Sequence, residues 1–327
     1  MSNLNYLKDA LALEATKSAL SDFKYIIATV MILFFVGAKD DIIGTAPIKK
    51  LASHIIVALM IVLMANIRIK GMHGIFGVNE IPFWSGIFLS LLTIIITINA
   101  FNLIDGIDGL AAGIGLIATI IFGIWFYLAN DIVMALLSFS LAGSLFAFLF
   151  FNFSPAHIFM GDTGSTIIGL MVSVLAIKVI ECPGAEVSNT IISTVHRPIF
   201  VMAILSYPLI DTLRIFIYRT IKGVSPFEAD RNHIHHLLLD AGMNHRQISL
   251  SLYGVSIFIV ALTVLLSFLS ATICFIIVFV FVIAIAQVPL FFQKKNLHKI
   301  NPDLKNMTNG NGAENVNKSV KKKIFYE

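Results

Sequence analysis

The stretch Asn99-Ala-Phe-Asn102-Leu-Ile-Asp105-Gly-Ile-Asp108-Gly109 joins two apolar runs, 84–103 and 110–129. Each run is long enough to cross a bilayer as a helix, which takes roughly 17–25 residues. A lone segment in hydrocarbon must satisfy its own backbone, so both runs are read as helices. Carboxylates are costly so close to hydrocarbon and are seldom kept there without work to do. Outward from this joint, further apolar runs fall at 23–38, 51–67, 132–151, 164–181, 199–219, 248–268 and 271–292. The expectation is an all-α polytopic membrane protein of nine spans. Three more polar patches punctuate it: Lys39-Asp40-Asp41, Gly161-Asp162-Thr-Gly164-Ser165, and Asp230-Arg231-Asn-His233-Ile-His235-His236. Two spans separate each patch from the next, which predicts that all four emerge on one side.

Composition agrees. Of 327 residues 57% are hydrophobic and 13% charged, with a mean hydropathy of +0.89, whereas soluble domains carry about 25% charged residues. The net charge of +4 is spread over loops rather than along one stripe, so nucleic acid is not an expected partner. Cys182 and Cys274 are too few for a disulfide framework; both fall near outer ends of spans and read as two buried thiols, with a single bridge as the alternative. Residues 1–22 form a polar N-terminal segment with no apolar core of a signal peptide. Residues 23–292 form the membrane domain, and 293–327 a polar, Lys- and Asn-rich tail read as disordered. The patch side carries Lys39, Lys49, Lys50, Arg219, Lys222, Arg231, Arg246 and the lysines of the tail. That excess predicts that this side and the C-terminus are cytoplasmic.

Each patch has its own chemistry. Asp40-Asp41 sits where a helix leaves the membrane and can act as base, metal ligand or split-pKa pair, or be a solvated helix end. Asn102, Asp105 and Asp108 recur every three residues, which predicts one face of a helical turn. Gly106 and Gly109 allow close approach of a ligand or backbone. Gly161–Ser165 opens a helix whose free N–H groups attract phosphate, with Thr163 or Ser165 as cap. Asp162 there suits a hard cation that itself binds phosphate. Arg231, His233, His235 and His236 form a dense cluster that fits an anion better than a transition metal. Asp211 and Arg214, three apart in one span, read as a simple pair, and Lys178 as a lysine that snorkels outward.

Taken together these patches resemble the polyprenyl-phosphate N-acetylhexosamine-1-phosphate transferases. The resemblance covers about residues 23–292. It rests on Asp40-Asp41, the motif Asn-Ala-x-Asn-Leu-x-Asp-Gly-x-Asp-Gly-Leu at 99–110, Phe-Met-Gly-Asp-x-Gly-Ser at 159–165 and the histidine-rich loop. Ser-Pro-Phe-x-x-Asp-Arg-x-His-Ile-His-His, ending at His236, is similar to the branch that starts cell-envelope polysaccharides, usually from UDP-GlcNAc. The resemblance implies transfer of N-acetylhexosamine 1-phosphate from a UDP-sugar to undecaprenyl phosphate in a bacterial inner membrane. It implies Mg²⁺, with Mn²⁺ as a substitute, on Asp162 helped by Asn102. Asp40 and Asp41 would lie by the lipid phosphate, one of them as base, and Asp105 and Asp108 would shape the nucleotide and metal site. Lys50, Asn99, Arg231, His233, His235 and His236 would meet substrate. The family is often a homodimer.

Relatives usually begin with two further spans, and residues 1–22 resemble neither, so an N-terminally truncated, inactive homologue is one alternative. Another UDP-N-acetylhexosamine donor is a second. A transporter would place its acids at mid-membrane in internal repeats, a pattern this chain lacks.

Overall fold

Hydrocarbon offers a backbone no partner but itself, so the apolar runs fold as helices. The computed structural model describes residues 2–182, 191–223 and 233–300, with side chains described for 22–182, 193–223 and 233–289. In chain order the helices are α1 (Ser2–Ile43), α2 (Pro47–Leu59, extended by a π turn Met60–Met64), α3 (Phe83–Ile104), α4 (Leu110–Leu128), α5 (Ile132–Asn152) and α6 (Gly161–Ile180). They continue as α7 (Arg197–Ile204), α8 (Ser206–Lys222), α9 (Ile234–Asp240), α10 (His245–Leu265) and α11 (Ala271–Ile300). A short antiparallel hairpin, β1 (Gly71–Ile75) and β2 (Val78–Glu80), pairs Gly71 with Glu80 and Ile75 with Val78. It was not anticipated from sequence and is the one sheet among the described residues.

Among the described residues, seven helices are long and apolar enough to cross a membrane, or eight if α7 and α8 count as one span. The protein is thus a multi-pass membrane protein, but the expected nine is not reached on length and composition. The run 23–38 lies inside α1, where Asp22, Lys24 and Lys39 crowd its two ends. Its polarity sets 1–22 apart in the sequence, whereas the described part of it continues the same helix from Ser2. At the other terminus α11 runs on to Ile300, past the expected boundary at 292, and residues 301–327 lie outside the described residues.

The expected single span 199–219 is instead two helices bent by 75°. The cause is Pro208, in the first turn of α8. It has no N–H for the Ile204 carbonyl, and its ring would clash with that carbonyl in a continuous helix. The ladder resumes with Leu209 N donating to Leu205 O at 3.1 Å.

α6 is the central strut: 78% of its span is buried, against 28% for α5. It packs on α1, α3 and α4 through buried Ile168, Leu170, Val172, Val174 and Leu175, while Ile94, Ile98 and Phe101 of α3 join the same core. α4 and α5 form a helical hairpin through the turn at Asn130, where the Asp131 carboxylate accepts Met134 N at 3.1 Å. Lys178 does not snorkel away: its ammonium pairs with Asp22 at 2.5 Å and ties α6 to α1. Cys182 and Cys274 are both buried, and they form no disulfide with each other.

Candidate active site

The site is assembled at the helix ends, beginning where α1 crosses α6. Gly37 sits so tightly on Thr163 that a Cβ there would collide with its backbone. This closeness lets Asp41, about one turn further along α1, reach the start of α6. One Asp41 oxygen accepts Asp162 N at 2.8 Å, and the other accepts Thr163 N at 3.1 Å and Thr163 Oγ1 at 2.5 Å. Gly161 has φ +66°, and a Cβ on it would fall 2.9 Å from both Asp41 oxygens. A helix N-terminus favours an anion, and here α1 supplies it. The amides expected to attract phosphate are therefore already occupied, and the cap is Asp41 rather than Thr163 or Ser165.

Beside this cap three oxygens converge on the ammonium of Lys50, in the first turn of α2. Lys50 Nζ lies 3.4 Å from Asp40 Oδ2 and 2.9 Å from Asn102 Oδ1, and it also pairs with Asp162 Oδ2. Asn102 completes the ring by donating from Nδ2 to Asp162 Oδ1 at 2.6 Å and to Ser165 Oγ at 3.0 Å. Four helices thus meet around one cation. Burial raises the pKa of the Asp40 carboxyl, but the Thr45 hydroxyl, the Lys50 ammonium and the Thr45 backbone together hold it below the usual carboxylate range. Asn99, a turn deeper on α3, is half-buried and lies outside this ring.

Asn102, Asp105 and Asp108 do not share a helical face as their spacing suggested. α3 stops at Ile104, Asp105 caps its end, and Asp108 belongs to a turn that Gly109 closes at φ +77°. Asp105 is pushed up to about 7, first by burial and then by the Asp41 charge, against the pull of the Gly161 N–H. Asp108 faces away from it, toward His245 Nδ1 at 3.2 Å and Ala156 N at 3.3 Å.

The histidine loop arrives from α8 and α9. Asp211 is fully buried; its oxygens accept Ile234 N at 2.8 Å and His233 Nδ1 at 3.0 Å, with His235 at 3.9 Å and Arg214 at 3.8 Å. Its partnership with Arg214 is one part of a larger role as anchor of α9. His233 and His235 stack at 5.4 Å, both buried, and the His235 ring lies against Gly106. This contact joins the loop to the 99–109 motif. Burial lowers the His235 pKa to about 3, opposed by Asp211 and assisted by its histidine neighbours and Arg214, so it is a neutral group near pH 7. His236 is the more exposed of the three, 4.4 Å ring to ring from His235. Arg231 lies outside the described residues.

Sequence reading overlooked Thr45, Asn152, His245, Ser249 and Tyr253, all of which bond to the motif residues. Only the spacing of the last three along α10 offered a signal. Among the described residues no cluster of three or more His, Cys, Asp or Glu side chains is arranged to hold a metal ion. The donors around Lys50 are two carboxylates and an amide oxygen. That set suits a hard cation such as Mg²⁺, which is usually held by one or two carboxylates plus substrate phosphate oxygens. The ammonium itself shows that the ring accommodates positive charge.

With this geometry in place, comparison with known proteins gives the class. Residues 23–180 match glycosyl transferase family 4, and this part of the chain belongs to that family. The chain is 30% identical over 223 residues to an undecaprenyl-phosphate alpha-N-acetylglucosaminyl 1-phosphate transferase of Escherichia coli O157:H7, a match covering 66% of this chain and 58% of that protein. The same-named protein of Yersinia pestis is 29% identical over 239 residues, covering 71% and 62%. A decaprenyl-phosphate N-acetylglucosaminephosphotransferase of Mycolicibacterium smegmatis is 33% identical over 238 residues, covering 68% and 58%. The chain thus spans about three fifths of the length of the curated relatives it matches.

Proposed function

We propose that this protein transfers N-acetylhexosamine 1-phosphate, with GlcNAc 1-phosphate the first candidate, from a UDP-sugar to undecaprenyl phosphate and releases UMP. The reaction would take place at the cytoplasmic face of a bacterial inner membrane and start a cell-envelope glycan. One observation carries the reading: Asp40, Lys50, Asn102 and Asp162, spread over 122 residues of chain from α1 to α6, converge on one cation-holding ring at the helix ends. The names of the relatives support the acceptor as a polyprenyl phosphate and the transferred group as N-acetylglucosamine phosphate.

Asp162 and Asn102, with Asp40 beside them, would hold Mg²⁺. Bound there, the metal would neutralise the donor diphosphate and stabilise the charge left on UMP. Lys50 would trade its carboxylate partners for a phosphate oxygen. Asp105, near 7, is matched to take the remaining proton of the acceptor phosphate. An oxygen of the lipid phosphate then attacks the sugar-linked β-phosphorus. The bond from that phosphorus to the bridging oxygen breaks, and UMP leaves with the bridging oxygen and its electron pair. This is positioning plus electrostatic stabilisation rather than covalent catalysis. Asp41, with both oxygens bound to α6, keeps Asp162 in place.

The test is UMP release by the purified chain in detergent with undecaprenyl phosphate, UDP-GlcNAc and Mg²⁺. Lipid- and metal-dependent UMP, lost in Asp162→Ala, is the expected result. A folded preparation that releases no UMP from UDP-GlcNAc or other UDP-N-acetylhexosamines overturns the proposal.

A further inference from the structure

His245, Ser249 and Tyr253 are spaced four apart and so lie along one face of α10. All three are spent on a single short turn. His245 Nδ1 lies 3.2 Å from Asp108 Oδ1 and 3.4 Å from Asp108 N. Ser249 Oγ donates to Asp108 O at 2.8 Å, and Tyr253 OH donates to Gly109 O. The Tyr253 ring fills the space that a side chain on Gly113 would need. The remaining groups of the turn are held from the other side. Asp108 Oδ2 accepts Ala156 N at 3.3 Å, and Gly109 N donates to Asn152 Oδ1 at 3.1 Å. α10 is itself fixed at its start by a capping box, Asn244 with Gln247, at 2.9 and 3.0 Å.

We propose that this face of α10 is a positioning clamp for the Asp105–Gly109 turn, and that His245 sets the direction of the Asp108 carboxylate through its Nδ1 atom. Helix packing alone would be served by apolar side chains, whereas here three polar groups meet the carboxylate of Asp108 and the C=O groups of Asp108 and Gly109; Nδ1 carries the proton that the carboxylate accepts and so does not also accept the Asp108 N–H. The roles divide by burial. Ser249 is fully buried and holds the backbone, while the His245 side chain is 38% exposed and is the member open to solvent. Asp108 is thereby gripped at both carboxylate oxygens, as a group must be if it is to meet a ligand in one orientation. His245 lies outside the region matched to the family, and nothing in its spacing from the acidic motifs marks it.

This inference rests on the transferase reading, in which Asp108 shapes the site for the donor nucleotide. His245→Ala should then raise KM for the UDP-sugar and lower kcat/KM by about 10- to 100-fold, the scale of a misplaced binding group, with kcat changed far less. His245→Asn, whose amide sits near the Nδ1 position, should recover most of the loss. His245→Gln, whose amide reaches toward Nε2, should not. Equal loss in all three variants, or a fall in kcat at unchanged KM, overturns the clamp. A wild-type chain that releases no UMP counts against the transferase reading alone, and the clamp is then decided by thermal unfolding in detergent. The melting-temperature losses of His245→Ala and Asp108→Ala should fall short of adding in the double variant, because the two share one contact. Simple additivity overturns it.

Discussion

Removing the Asp211 carboxylate should release the histidine loop before it melts the membrane domain. Asp211 is fully buried and holds the Ile234 amide at 2.8 Å and His233 at 3.0 Å, with Arg214 at 3.8 Å. Asp211→Ala strands the buried Ile234 amide and takes the carboxylate away from His233 and Arg214, and removing one partner of a buried ionic network costs about 3–5 kcal/mol. The bonds lost tie α9 to α8 and leave the spans untouched, so the cost falls on local opening of α9. At about 1.4 kcal/mol per tenfold, opening becomes roughly two to three and a half decades more frequent. The loss is capped by the opening free energy of α9 itself. Hydrogen–deuterium exchange of the peptide covering Ile234–Asp240 reads this directly, with α3 and α6 peptides as internal controls. Asp211→Asn keeps an oxygen for Ile234 and should lose much less protection. Unchanged exchange over α9 in Asp211→Ala would show that the loop is held by something other than this carboxylate.

Three further outcomes follow from the geometry. Asp41→Ala removes the anion that caps α6 and should cost about 0.5–2 kcal/mol, the range for a lost N-cap, read as a lower unfolding temperature; no change would dismiss the capping role. Gly161→Ala places a Cβ 2.9 Å from the Asp41 oxygens at φ +66°, so it should lower the unfolding temperature by the equivalent of about 1–3 kcal/mol; an Asp41→Ala background removes the clash but leaves the backbone strain, so part of the loss should persist there. Asp105, raised from 3.8 to about 7, favours the folded state when protonated. Its contribution is complete below its ordinary pKa and is lost as pH rises through about 7. The stability advantage of wild type over Asp105→Asn should therefore shrink from pH 4 to pH 7 and stay level above it. A constant difference across that range would refute the shift.

The spans were legible because each is an apolar run bounded by polar residues, and most helix limits fall within a few residues of those runs. What escaped was set by single residues acting against a run. Pro208 breaks 199–219, although the stretch is apolar enough to have been read as one helix. Gly109 ends the three-residue rhythm of Asn102, Asp105 and Asp108, which the backbone leaves after Ile104. In the site, the convergence of the patches on one end follows from counting spans. The partnerships within it do not, because they join residues such as Asp41 and Thr163, or Asp108 and His245, whose separation in sequence carries no periodicity. Asp211 was visible as a carboxylate in a span, yet its partner Ile234 is a backbone amide that no side-chain pattern announces.

The elbow at Leu205 also fixes how this part of the chain can sit in a bilayer. At about 1.5 Å per residue, α7 and α8 are roughly 12 and 25 Å long, and with their 75° bend the two ends stand about 31 Å apart. That is barely the hydrocarbon thickness of about 30 Å, so the pair crosses only if the line between its ends runs nearly along the membrane normal. α8 then leans by about 22°, an ordinary tilt, while α7 leans by about 53°, its axis closer to the membrane plane than to the normal. Such a slant carries the outer end of α7 sideways by roughly 10 Å. Arg197 there donates to the Cys182 carbonyl and lies 3.0 Å from His73 of the hairpin. A proline in one helix thus brings an arginine to the hairpin on the face opposite the acidic patches.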